Sequence, residues 1–287
     1  MNILVPTDFS ANSLAGIYFA MHLADQITGP SHLQFVYVDY LPKVFADEDT
    51  LHKQIDAADP EQSEYQKKLA EFVLDLYNKI GISPKAYSID VIRGVRADSA
   101  LLNYCTKNRD FDYICMSSKG AGSIDRLFGT NTGNLVTKSE IPVIVVPLDY
   151  TVQPFTKIVY ASDLQDFDSE IEQVIGFSSA LRASIEVLHF VPDLALIPDR
   201  YNQQQIDNKY DYGITFHFEK TNPIHTLLKN LRDQLTRMNP SVLILFTKRH
   251  KSFFHKLFLS DLAEDLAFHA VVPMLVINKT NSRASLR

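Results

Sequence analysis

Short, unbroken apolar runs separated by longer amphipathic stretches fill this chain, and they occur twice in the same order. In the first half the runs are Ile3–Val5, Leu33–Val38, Tyr87–Ile92, Tyr113–Met116 and Val143–Val146. They are rich in β-branched residues and hardly alternate with polar ones, as expected of strands buried on both faces. Between them lie helical patterns. "SLAGIYFAMHLADQI" carries Leu14, Ile17, Tyr18, Met21 and Leu23 on one face. "SEYQKKLAEFVLDLYNKIG" carries Leu69, Phe72, Val73, Leu76 and Ile80, then stops at Gly81. "DSALLNYCTKN" begins at Asp98, a residue suited to an N-cap. Strand and helix in alternation predict a parallel sheet covered on both faces, with right-handed crossovers.

The second half repeats the pattern. "NILVPTDFS" (Asn2 to Ser10) matches "KIVYASDLQ" (Lys157 to Gln165), aligning Asp8 with Asp163. "HLQFVYVD" matches "SIEVLHFV", "DYICMSSKG" matches "VLILFTKRH", and "SEIPVIVVP" matches "AVVPMLVIN" with Pro142 and Pro273 in register. The offset falls from 155 to 131 along the repeat, mostly through a polar insert between Leu41 and Glu64. A duplicated α/β unit follows, with domains over 1–149 and 155–280.

Composition narrows the function classes. A net charge of −6 gives no basic field for nucleic acid, and Lys248–Lys251 alone reads as a solvated loop. Two cysteines form no disulfide framework; Cys105 and Cys115 read as buried hydrophobes. The start "MNILVPTD" is not a signal peptide, and no apolar run reaches the length of a membrane span, so a cytoplasmic protein is expected. The nine histidines show no metal-ligand spacing. Asp39 and Asp47–Asp49 read as solvated loop acids, and "PDRYNQQQIDNKYDYG" (Pro198 to Gly213) as a polar connection outside the core.

Four of the ten glycines fall in "MSSKGAGSIDRLFGTNTGNLV", directly after the fourth strand. In an open parallel sheet, ligands bind beyond the carboxyl ends of the strands, where strand order reverses. Three segments are expected there: Pro6-Thr7-Asp8, Tyr37-Val38-Asp39, and this glycine stretch. Glycine lets backbone N–H groups approach a ligand, and Gly129-Thr130 precedes a helical pattern from Asn131 to Lys138. A helix start favours an anion by about 0.3–2 kcal/mol. Neither a Walker A loop nor GxGxxG is present. Gly120 and Gly122 serve equally as a loop turn, with Gly129 as a helix cap.

"ILVPTDFS", Asp98 after "VIRGVRA", and "DYICMSSKGAGSIDRLFGTNTGNLVTKSEIPVIVVP" together resemble the universal stress protein family, strongly over 1–147 and faintly over 155–278. The resemblance implies two tandem five-stranded parallel sandwiches of strand order 3-2-1-4-5, an adenine nucleotide alpha-hydrolase-like fold, packed as a pseudo-dimer. Nucleotide-binding members carry Gly-x-x-Gly, nine residues, then Gly-Ser/Thr. That implies an ATP or other adenine-nucleotide site, with or without Mg2+, in the first domain only. Gly120, Gly129 and Thr130 take the motif positions, Asn131 gives the next N–H, Asp8 is the acidic residue beside Pro6 and Thr7, and Val38 supplies the adenine-contacting backbone, with Tyr37 as the neighbouring option. Two departures stand: Ser117 replaces the first glycine, and eight residues rather than nine separate Gly120 from Gly129. In the second copy His250 and Ser260-Asp261 replace the glycine motif, so no phosphate site is expected there.

The implied role is a stress-linked regulator or sensor, with at most slow ATP hydrolysis, because no general base or acidic metal pair accompanies Asp8. The alternative is a scaffold of the same fold that acts through protein contacts or homodimerisation. An enzyme that adenylates or cleaves through ATP is a third reading, which lacks a catalytic lysine or metal ligands.

Overall fold

The computed structural model describes residues 1–40, 60–118, 130–197, 201, 203–247 and 272–279. A first compact unit spans Met1–Val152 apart from Gln26–Thr28, and a second begins at Gln153.

The first unit runs β1 (Asn2–Thr7), α1 (Leu14–Gln26), β2 (His32–Tyr40), α2 (Pro60–Ile80), β3 (Ala86–Gly94), α3 (Ala97–Lys107), β4 (Tyr113–Ser117), α4 (Thr130–Lys138) and β5 (Val143–Val146). Its strands are parallel and stand in the order β3-β2-β1-β4-β5. The apolar strands β1, β4 and β5 carry much of the core: Ile3, Leu4, Ile114, Cys115 and Val143–Val146 are almost fully buried. Each such side chain contributes about 1.5–3 kcal/mol relative to exposure. Val143–Val146 is buried at all four positions, as a strand covered on both faces must be. α2 ends where the sequence places its stop: Gly81 has φ 70° and its N–H returns to the Tyr77 carbonyl.

The second unit runs β6 (Lys157–Ala161), α5 (Phe167–Leu181), β7 (Ser184–Val191), α6 (Gln203–Lys209), β8 (Ile214–Lys220), α7 (Leu227–Met238), β9 (Val242–Thr247) and β10 (Met274–Asn278). Its strands stand β8-β7-β6-β9-β10, the same order, again parallel. The repeat extends to single hydrogen bonds. Ile114 N–H donates to the Pro142 carbonyl and Leu243 N–H to the Pro273 carbonyl, each at 2.9 Å. The two prolines therefore hold corresponding places at the entry to the last strand.

Three readings need correction. Asp98 does not cap α3: the helix starts at Ala97, Arg96 is the cap residue without a side-chain cap bond, and Asp98 sits buried in the first turn. Asp39 is not a solvated loop acid; it closes β2 and faces Arg93 of β3 at 3.4 Å. The polar connection read over Pro198 to Gly213 contributes two of its described residues to the core. Ile206, the apolar residue of the short helix α6, is buried, and so is Tyr201 just before that helix, which lies among Phe167, Phe216 and Phe218. Lys248–Lys251, His250, Ser260-Asp261 and Asp47–Asp49 lie outside the described residues.

Candidate functional site

The carboxyl end of β1 is where strand order reverses. The β1–β2 ladder runs to Thr7↔Tyr37, but the β1–β4 ladder pairs Ile3↔Tyr113 and Leu4↔Ile114 and extends no further. The two central strands part at their carboxyl ends. Pro6 stands beyond that last pair, where its missing N–H costs no ladder bond to β4.

The loop after β1 is a chain of side-chain-supported turns. Thr7, buried, accepts the Phe9 N–H at 3.1 Å and shares a hydrogen bond with the Ser13 hydroxyl at 3.0 Å. Asp8 Oδ1 accepts the Ser10 N–H at 3.0 Å and the Ser10 hydroxyl at 2.6 Å. Phe9 adopts φ 59°, the left-handed region, and the two flanking turns hold it there. Its ring meets Tyr37 at 4.6 Å and Phe72 at 5.3 Å, under the ammonium of Lys68 at 4.6 Å. Tyr37 also meets the ring of Tyr65, tilted, at 4.9 Å; burial first, then Tyr65 and Asp39, push its phenol up to about 12. Val38 points to the opposite face, is buried and pairs with Ile92. Tyr40, half exposed at the end of β2, has its phenol raised by burial and then by the carboxylates of Asp8 and Asp98.

Ser117 ends β4. Its Oγ accepts the Gly16 N–H at 2.9 Å, and its carbonyl accepts the Thr132 hydroxyl at 3.2 Å. The hydroxyl that replaces the expected glycine is thus engaged by α1. Gly16 has no room for a side chain: a Cβ there would stand 2.6 Å from the Ser117 backbone N. Thr132, 1% exposed, seats the first turn of α4 against β4. Asn131 is exposed beside it. Thr130 begins α4, whereas Gly120 and Gly129 lie outside the described residues. Pro6, Thr7, Asp8, Val38, Ser117, Thr130 and Asn131 are therefore brought to the carboxyl edge of the sheet, on adjoining strands β2, β1 and β4 and the helix after β4.

Sequence reasoning missed a cluster beside them. Asp98 takes Arg96 Nε on Oδ1 at 3.1 Å, Arg96 Nη2 on Oδ2 at 2.9 Å, and Asn134 Nδ2 on Oδ2 at 2.7 Å. Burial pushes the Asp98 carboxyl up, but hydrogen bonds from Arg96, Asn134 and the Ser99 backbone outweigh it and hold the group below the usual carboxylate range. The one sequence hint was the close pair Arg96 and Asp98; the partner Asn134 is remote in sequence.

The second unit keeps the loop and fills the space. Ser162 Oγ accepts the Leu164 N–H at 3.0 Å, Asp163 Oδ1 accepts the Gln165 N–H at 3.0 Å, and Leu164 has φ 60°. His189 donates from Nδ1 to the Ser162 carbonyl at 2.8 Å, a structural role. Tyr201 lies over this loop and donates to the Leu164 carbonyl at 3.4 Å. Lys279 binds Asp166 at 2.9 Å and also Glu170, whose carboxylate takes the hydroxyl of the buried Tyr160. A cavity of about 400 Å3 opens between this loop and α6, lined among others by Asp166, Phe167, Asp168, Tyr201 and Lys209. Its carboxylates are paired with lysines, Asp168 with Lys209 at 2.6 Å and Asp166 with Lys279.

The family model that matches this sequence is that of the universal stress protein family, over residues 1–147. The chain belongs to the universal stress protein family. Among solved structures it is similar to a universal stress protein from Archaeoglobus fulgidus DSM 4304, at 15% identity and TM-score 0.63, with 96% of each chain covered. A candidate universal stress protein from Pseudomonas aeruginosa UCBPP-PA14 aligns at 14% identity and TM-score 0.59, covering 96% of this chain and 92% of that one. A universal stress protein solved in complex with cAMP aligns with 51% of this chain and 95% of its own, at 16% identity and TM-score 0.35. No curated protein matches this sequence. Family and fold agree with the expectation, including strand order 3-2-1-4-5 in the first unit. Among the described residues no helix is long and apolar enough to cross a membrane, and no group of three or more His, Cys, Asp or Glu could hold a metal.

Proposed function

We propose that the first unit binds an adenine nucleotide, ATP above all, and that the protein acts as a regulator or sensor of the universal stress type. One observation carries the reading. The Thr132–Ser117 bond seats the first turn of α4 at the end of β4, next to the point where β1 and β4 part and Asp8 follows. The start of α4 and the Asp8 carboxylate then lie one strand apart. The N–H groups of Thr130 and Asn131 suit phosphate oxygens, Asp8 suits the ribose hydroxyls, and the backbone of Val38 suits the adenine edge. Gly120 and Gly129 complete the phosphate loop in this proposal. Mg2+, if it accompanies the nucleotide, is held by the phosphates.

The second unit, from about residue 155 to 280, is proposed as a diverged copy without a nucleotide. Its corresponding loop is overlaid by Tyr201, whose hydroxyl binds the Leu164 carbonyl. The scaffold reading draws on the same fact and on the Ser117 hydroxyl, which is committed to Gly16. Calorimetry of the full chain with ATP, ADP, AMP and cAMP separates the two. Saturable heat at one site supports nucleotide binding; none at millimolar ligand rejects it in favour of the scaffold.

A further inference from the structure

Arg96 is more than half exposed, at 57%, although its partner Asp98 is 2% exposed. The guanidinium meets Asp98 along its Nε–Nη2 edge, one nitrogen to each carboxylate oxygen. A bidentate pair of this kind fixes the plane of the guanidinium. It uses two of five donors, so the Nη1 edge is turned away from the carboxylate.

Asn134 locates that edge. It binds the same Oδ2 as Arg96 Nη2. Asn134 lies four residues after Thr130, about one helical turn into α4. Side chains on a helix lean toward its N-terminus. The shared carboxylate, and the guanidinium on it, therefore sit alongside the opening turn of α4. That turn is in turn seated on Ser117 by Thr132.

We propose that Arg96 is a phosphate-contacting residue of the first unit, held by Asp98 so that its Nη1 edge meets the terminal phosphates of the bound nucleotide. The inference rests on the nucleotide reading above and deepens it. It makes the site selective for the number of phosphates, since an always-charged fork gains most from the most highly charged ligand. A purely structural Arg96 would tie α3 to α4 and leave phosphate selectivity alone.

The test is calorimetry of the full chain and of Arg96→Gln with ATP, AMP and adenosine, with a thermal melt of each protein. The expected result is an ATP affinity lowered on the order of tenfold to a hundredfold in the variant. AMP affinity falls less, and adenosine affinity is unchanged. Equal losses for ATP and adenosine, or no loss for ATP, overturn the role of Arg96 while the nucleotide reading stands. A wild-type chain that binds neither ATP nor adenosine overturns both. If Arg96→Gln melts below the assay temperature, Arg96→Lys takes its place: a loss confined to the phosphorylated ligands supports the role, and an equal or absent loss rejects it.

Discussion

Phe9 and Leu164 hold the same left-handed backbone turn, at φ 59° and 60°, one in each unit. Each N–H is taken by the hydroxyl of the residue two before it, Thr7 at 3.1 Å and Ser162 at 3.0 Å. A bulky residue in this region costs about 1–3 kcal/mol and persists only where its surroundings impose it. The turn has outlasted most of the sequence identity between the copies because it is held by an oxygen on either side, not by the residue within it.

Removing that oxygen is expected to loosen the turn. Thr7→Val and Ser162→Ala should each lower stability by about 1 kcal/mol, the worth of one hydrogen bond. Urea unfolding measures both. Thr7→Val should also weaken ATP, whereas Ser162→Ala should leave it unchanged.

Ser117 and Gly16 form a close joint between β4 and α1. Gly16→Ala should cost about 1–3 kcal/mol or abolish folding, since the added carbon meets backbone rather than a side chain that can swing away. Ser117→Gly restores the first glycine of the family motif but leaves the Gly16 N–H without its acceptor. It is expected to lower the urea midpoint, by about 1–2 kcal/mol of stability, without improving ATP affinity.

The depressed carboxyl of Asp98 makes a pH prediction. Its folded pKa lies below its unfolded one, near 3.9, so the unfolded chain binds more protons in that range. The stability it contributes is full above the unfolded pKa and is lost as pH falls through the folded one. Asp98→Asn should be less stable at pH 7, and its stability should fall less between about pH 4 and pH 2 than that of the wild type. Denaturant melts across that range give the comparison.

In the second unit Lys279 neutralises Asp166 and the buried Glu170. Lys279→Met should destabilise by about 3–5 kcal/mol, because a buried carboxylate loses its cation. The double replacement Lys279→Met with Glu170→Met should recover most of the loss. Thermal melting of the single and double variants distinguishes this from simple loss of packing.

The sheet was legible because buried strands write themselves as apolar runs; Val143–Val146 carries the same limits in sequence and in space. Pro142 and Pro273 exposed the duplication, and they prove to accept equivalent hydrogen bonds. That Thr7, Asp8 and Ser117 would meet at the carboxyl ends of β1 and β4 was legible from the strand pattern. The electrostatics of the site were not. Asp98 looks like a helix cap in sequence because a cap depends on neighbours, while its actual partner Asn134 is brought close only by the packing of α3 on α4. Tyr201 was read as polar connection for a similar reason: local composition says nothing about a ring that finds Phe167 and Phe216 across the fold.

Native mass spectrometry of the full chain titrated with ATP, beside Asp8→Ala and Asp163→Ala, tests the central claim most directly. The account predicts one ATP per chain in the wild type, its loss in Asp8→Ala and its retention in Asp163→Ala. No adduct at all, or an adduct that survives Asp8→Ala and disappears with Asp163→Ala, would contradict it.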